Sequence, residues 1–401
     1  MKEMFKYAAA ILPAVGMMLL CGCGMVDIEP MTAEREIQLP DYFYTTTAEE
    51  TEAVTETTAK DPYTPPDDPE LVDMMNNMTL RERAAQLIMV SAADQFTAQY
   101  VSEQGAGGLC LFAGPFEWKS ADDVRAMTAG FQEAAQYPIL IAVDEEGGTV
   151  NRVSYNPLLR QTPYESPRAL REQDGLNLVK SDAREKADFL LNLGVNVNLA
   201  PVCDVPVSEN DFMYPRAYST DAEEVSEYVS EIVGIWRNKG LGCTLKHFPG
   251  YGNTTDTHFD SAHDNREYDE FLSRDLLPFE AGIEAGAGAV MVSHNIVICM
   301  DDKNPASLSK KVHEVLRENL GFDGVIITDD LGMTAALMAT GYENPVVPAL
   351  LAGNDMVIYS DFTGAIDSIT EAVEKQKLSI QQINNSVLRI LAWKKSIGLI
   401  E

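Results

Sequence analysis

The chain has 401 residues, an apolar fraction of 45% and a formal net charge of −32 at pH 7. That length holds one large domain with extensions, or two domains, around a substantial core. So acidic a chain is a poor partner for nucleic acid, whose phosphates need clustered Lys and Arg, and for an anionic lipid surface met through a basic patch.

In chain order, residues 1–22 read as a targeting segment. Lys2 and Lys6 give a weakly positive start, and the apolar run 8–20 is too short for a comfortable transmembrane helix. The run ends in Leu20-Cys21-Gly22-Cys23. A small residue directly before a cysteine resembles a bacterial lipoprotein cleavage site, which would leave Cys23 to carry lipid. Large Leu20 makes Cys21 the less suitable acceptor. Two or more acyl chains suffice for stable anchoring, so an extracytoplasmic protein anchored to the cell membrane is expected. An ordinary signal peptide or an uncleaved helix is the alternative. Residues 23–67 are rich in Thr, Glu, Asp and Pro and poor in large apolar side chains, a composition that cannot offset its own ordering entropy. A disordered acidic linker is expected there, with a coil span of roughly 35–40 Å.

From residue 68 to 401 apolar runs alternate with helical periodicity. The strand-like runs are 86–90, 108–112, 139–144, 195–201, 242–247, 289–294, 324–329 and 355–359, with helix-like stretches at 121–136, 222–238, 269–285 and 362–375. Short β-rich runs alternating with helices imply a parallel sheet. Eight of them predict an α/β fold, a single (β/α)8 TIM-like barrel; an open doubly wound sheet is the alternative. Residues 105–108 and Gly147-Gly148 do not make a dinucleotide fingerprint. Cys110, Cys203, Cys243 and Cys299 sit in or beside apolar runs without metal-type spacing, and read as buried free thiols.

Polar residues punctuate the strand ends. Asp144, His247, His294 and Asp329 all fall at the C-terminal end of a predicted strand, the face on which such barrels carry their sites. The stretch from Lys246 to His258 places a cation, two imidazoles and a carboxylate on a Pro- and Gly-containing loop. Asp256 and His258 flank one residue, so both can face the same way on an extended loop. A carboxylate beside an imidazole fixes its tautomer and raises its basicity, which suits proton transfer near neutrality.

The Lys246-His247-Phe248-Pro249-Gly250-Tyr251-Gly252 run, followed by Asp256-Thr257-His258, resembles a signature of family 3 glycoside hydrolases, in their β-N-acetylglucosaminidase branch. Other landmarks, in the family's order, are Ile141 through Gly148, Asn198 through Val205, Pro305 through Ser309 and Gly321 through Asp330. The resemblance implies a retaining, exo-acting β-N-acetylhexosaminidase that needs no cofactor or metal. It implies Asp329 as nucleophile and His258 as acid/base with Asp256 as its partner. It assigns Asp144, Arg152, Arg216, Lys246 and His247 to sugar binding. His294 is expected to line the base of the substrate pocket, with a purely structural role as the alternative, and the nearby Lys246 cation to help keep Asp329 ionised. Asp330 is expected to point away and cap the next helix. The substrate implied is terminal β-linked N-acetylglucosamine of glycans or peptidoglycan fragments, and the enzyme is expected to be a monomer. Glu145, Thr149, Tyr251 and Thr257 depart from the family's usual Gln, Arg, His and Ser.

Other readings are a β-glucosidase or β-xylosidase, a β-glycoside phosphorylase, and a non-catalytic sugar-binding lipoprotein. A metal-dependent hydrolase is a further one, because His258, Asp260, His263 and Asp264 cluster in sequence. They lack the HExxH spacing of helical zinc sites.

Overall fold

The computed structural model describes residues 67–401. The proposed signal, the lipidation site Cys23 and all of the linker except Asp67 lie outside the described residues.

Eight parallel strands close into a barrel: β1 (Ile88–Ala92), β2 (Gly108–Leu111), β3 (Leu140–Val143), β4 (Val197–Asn198), β5 (Gly242–Phe248), β6 (Ala289–Val292), β7 (Val325–Asp330) and β8 (Met356–Ile358). They neighbour one another in chain order, and β8 returns to β1 through Ile88–Val357 and Met89–Ile358. Both faces of each strand are covered, one by the barrel interior and one by helices. This explains why the strands read as continuous apolar runs rather than alternating ones. Ile141, Val143, Val290, Ile326 and Val357 are fully buried. Each such side chain contributes about 1.5–3 kcal/mol relative to exposure.

Each of the eight expected runs holds a barrel strand. The main difference is β4, which has two residues where 195–201 was expected. Pro201 has no N–H to continue a ladder, and the chain beyond Asn198 turns toward β5, where the Cys203 amide donates to the Lys246 carbonyl at 2.6 Å.

Helices Ala121–Ala134, Ala222–Lys239 and Phe362–Glu374 stand where periodicity placed them. Asp221 caps the second by accepting the amides of Glu223 and Glu224. The expected helix 269–285 is instead broken into Tyr268–Glu270, a wider π turn at Phe271–Asp275, and Leu277–Glu284. Several helices lie outside the stretches named from periodicity, and two of them are long. Pro167–Asn192 begins at the Ser166 cap and kinks at Asp174-Gly175, where Gly175 has φ +66°, and that break blurs its apolar period. Ile380–Ser396 packs against the helix Pro69–Asn76 and buries Trp393. Cys110, Cys203 and Cys243 are buried free thiols as expected, while Cys299 is only half-buried.

Candidate active site

The end of β3 delivers three consecutive acids with different tasks. Glu145 turns inward, and its carboxylate accepts the amides of Arg152 (2.8 Å), Val153 (2.7 Å) and Ser154 (3.1 Å), which folds the following loop back over the strand end. Asp144 and Glu146, two apart on an extended chain, face the same way. Lys246, at the end of β5, lies 2.7 Å from Asp144 Oδ1 and 2.6 Å from Glu146 Oε1. Arg216 forks onto Glu146 at 2.9 Å through Nε and 2.7 Å through Nη2.

These groups fix one another's charge. Burial alone would raise the Glu146 pKa, but Arg216 and Lys246 hold it well below the usual carboxylate range. For Lys246, burial favours the neutral amine, and Asp144 and Glu146 outweigh it, so the pKa is raised. Glu146 and Lys246 therefore both stay ionised. Arg152 is held more loosely, 3.7 Å from Asp144 and over the Phe112 ring at 5.6 Å.

Asp204, just past β4, positions the next residue. One carboxylate oxygen accepts the His247 amide (3.1 Å) and meets His247 Nδ1 (2.7 Å), while the other accepts the Tyr251 amide (2.8 Å). Arg216 Nη2 lies 3.3 Å from His247 Nε2. Arginine can only donate, so Nε2 accepts and Nδ1 carries the proton toward Asp204.

The loop beyond is anchored at its root and open at its tip. Gly252, with φ +51°, lies so close to Arg266 that a Cβ there would fall 2.3 Å from the guanidinium carbon. Buried Arg266 bonds both Asp264 and Asp275. The Tyr251 hydroxyl meets Thr257 Oγ1 at 2.7 Å, so two of the departures from the family pattern form one buried contact. His258 then projects outward with 59% of its side chain exposed. Asp256 Oδ1 binds both its Nδ1 (2.7 Å) and its amide (3.0 Å). The ring's orientation is thereby set, and Nε2 is left for proton exchange.

At the end of β7, Asp329 Oδ1 accepts the amide of Asp330 at 2.8 Å. Burial would raise its pKa, but the His247 and His294 imidazoles, that amide and His258 more than compensate, and the pKa lies below the ordinary value. Asp330 is held by Ser91 Oγ at 2.6 Å and by the amide of Gly332 at 2.8 Å. It therefore turns the chain after the strand rather than capping the helix Thr334–Ala339, whose cap residue is Met333.

Asp144, Glu146, Arg152, Arg216, Lys246, His247, Asp256, His258, Asp329 and Asp330 line one cavity of about 450 Å³. It thus gathers every residue expected at the site except His294. The expectation that His294 lines the base of the substrate pocket is corrected in favour of its structural alternative: the residue is fully buried and does not line the cavity. Its Nε2 lies 3.0 Å from the Asp330 carbonyl and its Nδ1 2.7 Å from Ser307 Oγ. A carbonyl only accepts, so the ring is the Nε2–H tautomer, placed behind the end of β7. Burial lowers its pKa, against the pull of Asp329. The stabilising role expected of Lys246 is corrected as well, since its ammonium is committed to Asp144 and Glu146. The metal-type cluster does not converge, because Asp264 is turned inward onto Arg266 while His263 is exposed.

Four contributors carried no assigned role in the sequence: Glu146, Asp204, Tyr251 and Ser307. Glu146 was detectable by its i, i+2 relation to Asp144. No local pattern marks Asp204 or Ser307, because their partners are 43 and 13 residues away.

Comparison with known proteins agrees with this fold. Residues 79–393 match the model of the glycosyl hydrolase family 3 N terminal domain. A beta-hexosaminidase of Xanthomonas campestris pv. campestris (strain B100) is 34% identical over 278 residues, covering 68% of this chain and 83% of that protein. One from Stenotrophomonas maltophilia (strain K279a) is 34% identical over 315 residues, covering 77% of this chain and 92% of its own length. Among solved structures, the family 3 beta-N-acetylglucosaminidase of Paenibacillus sp. str. FPU-7 superposes with a TM-score of 0.75 at 30% identity, covering 80% of this chain and 63% of that one. A beta-N-acetylhexosaminidase from Beutenbergia cavernae DSM 12333 gives 0.69 at 27% identity, covering 80% and 99%.

Proposed function

The chain belongs to glycosyl hydrolase family 3, and from that premise we propose that it is a retaining, exo-acting β-N-acetylhexosaminidase that releases terminal β-linked N-acetylglucosamine. The observation that carries this reading is the convergence of Asp329 and the Asp256–His258 pair on one cavity whose floor is the Asp144–Lys246–Glu146–Arg216 network. Retaining hydrolysis needs a nucleophile and a group that first delivers and then removes a proton. Asp329 is ionised and on a rigid strand end. His258 is exposed on a loop, where it protonates the leaving oxygen and then activates water. Asp144 accepts from sugar hydroxyls, and Lys246 and Arg152 donate to them.

Glycans or peptidoglycan fragments are the substrates in this reading. Cys23 would hold the enzyme at the outer surface of the cell membrane, with the acidic segment giving it reach. The relatives named for hexosaminidase activity support the sugar assignment. Hydrolysis of p-nitrophenyl β-glycosides tests it: the N-acetylglucosaminide should be cleaved far faster than the glucoside or xyloside, at a rate that phosphate does not change. Preference for the glucoside, or sugar phosphate as the product, overturns the reading.

A further inference from the structure

Exposed aromatic rings gather on the connections that leave the barrel strands. Phe96 follows β1, Trp118 follows β2, Tyr155 follows β3, Phe259 follows β5 and Tyr342 follows β7, and all are exposed. Of these, Trp118 and Tyr155 lie on the loops that leave β2 and β3 from residues lining the cavity, Phe112 and Arg152. Trp118 (φ +59°) and Tyr342 (φ +64°) also hold a backbone conformation that bulky side chains seldom adopt. Such conformations concentrate at ligand clamps and active sites. Tyr100, Leu351 and Ile380 are exposed elsewhere, and such scattered apolar residues need no explanation. Trp118 and Tyr155 differ in standing on two neighbouring loops that are joined to each other.

One side chain couples two of these rings. Asn156 Nδ2 donates to the carbonyls of Phe116 (2.8 Å) and Lys119 (2.7 Å), which bracket Trp118 in the chain. Its Oδ1 accepts the amide of Leu158 at 3.0 Å. Asn156 is itself buried, while Trp118 is 80%, Tyr155 52% and Leu158 61% exposed. The loops after β2 and β3 thus form one unit that offers apolar faces to solvent. Both begin in the cavity, which Phe112 and Arg152 line. Tyr155 is three residues past Arg152, a reach of at most about 11 Å.

We propose that Trp118 and Tyr155 form a platform that binds the leaving part of the substrate, a chain of neutral β-linked sugars running out of the cavity. This rests on reading the cavity as a terminal-sugar pocket. An exo-acting pocket encloses the end of a glycan, so the remainder must cross the rim. Aromatic faces offer a broad apolar surface to the C–H faces of pyranose rings. Charge favours a neutral glycan over an anionic membrane, since Glu117, Asp122 and Asp123 outnumber Lys119 and Arg125 around Trp118 in the chain.

The test compares chitotetraose with p-nitrophenyl β-N-acetylglucosaminide on the full-length protein. In Trp118→Ala the ratio of kcat/KM for the tetrasaccharide over the aryl glycoside should fall about tenfold, with Trp118→Phe restoring most of it. Direct binding is read in Asp329→Asn protein. Trp236 and Trp393 are buried, so chitotetraose should protect the exposed Trp118 from acrylamide quenching. An unchanged ratio together with unprotected fluorescence overturns the platform. Protection by anionic vesicles and not by chitotetraose would reassign the rings to a lipid surface and also overturns it. A wild-type protein inert toward the aryl N-acetylglucosaminide defeats the underlying reading of the pocket instead.

Discussion

The Tyr251 hydroxyl and Thr257 Oγ1 lie 2.7 Å apart, and both residues are buried. They stand where the family pattern has His and Ser, so the two replacements meet in space and form a polar contact at the root of the His258 loop. Tyr251 also packs edge-on against Phe212 at 4.9 Å and leans on His247 at 5.2 Å. The pair ties the loop to the wall of the cavity while its tip stays open to water.

Tyr251→Phe should therefore cost about 1–2 kcal/mol of stability, because it leaves a buried threonine oxygen without its partner. We expect a threefold to tenfold loss of kcat. In a double-mutant cycle with Thr257→Val the second change should add little to the first. Fully additive losses would show that the hydroxyls act separately.

Glu146→Gln should be more damaging than its position outside the named catalytic set suggests. The substitution removes the negative charge between Lys246 and Arg216, leaving two cations facing each other at the cavity floor. Breaking such a buried pair costs about 3–5 kcal/mol. Thermal melting should show the loss, and KM should rise more than kcat falls, since the cations orient sugar rather than transfer protons. A KM equal to that of the wild type would assign the residue to folding alone.

These cases show how much of the site was legible in the sequence. Asp144, Lys246, His247 and Asp329 were visible because each ends an apolar run, and a charged residue there is costly unless the strand end is a polar site. Asp256 and His258 were visible because they are two residues apart. His294 has the same signature as His247, yet it faces Ser307 behind the strand. The end-of-strand rule gives a position along the barrel axis but not the direction a side chain takes. Asp204 acts through His247 on another strand, 43 residues away, which no single segment records, whereas Glu146 could have been read from its i, i+2 relation to Asp144. In the fold, the barrel strands announced themselves by β-branched runs, whereas the helix Pro167–Asn192 was hidden by its break at Gly175.

Lys394 lies in the helix Ile380–Ser396 and meets Gln86 Oε1 at 2.6 Å. Burial pushes its pKa down from 10.5 to about 7. Between those values the unfolded chain binds more protons than the folded one, so stability rises with pH across that window. Below about pH 7 the penalty for the buried ammonium is complete, on the order of several kcal/mol. Lys394→Met should thus raise Tm relative to wild type most at pH 6–7, with an advantage that shrinks toward pH 10. Parallel Tm–pH curves for the two proteins would contradict this account.

His258→Ala should reduce turnover of the natural linkage by roughly 10²–10⁴-fold, the usual worth of a positioned proton donor. The deficit in the first step should be much smaller for a dinitrophenyl glycoside, whose leaving group needs no proton. Asp256→Asn should act in the same direction, because the side chain that binds Nδ1 would no longer stabilise the imidazolium. Equal losses for good and poor leaving groups would mean that His258 serves the loop's shape.

Asp329 should attack the anomeric carbon and form a covalent glycosyl-enzyme. Its carboxylate is anchored through Oδ1 to the Asp330 amide, which leaves Oδ2 as the atom directed at substrate. Its pKa lies below the usual carboxylate value despite burial, which favours the anion that attack requires. The neighbouring Asp330 is occupied by Ser91 and Gly332 and has no free geometry for attack. A protein carboxylate in this place also removes any need for the substrate's acetamido group to act as internal nucleophile. A 5-fluoro or 2-deoxy-2-fluoro glycoside slows breakdown of the intermediate, and mass spectrometry of the digested protein should find the sugar on the peptide containing Asp329. In the full reaction the first-formed product should keep the β configuration. Label on Asp330 alone, or an initial α product, would remove Asp329 from this role.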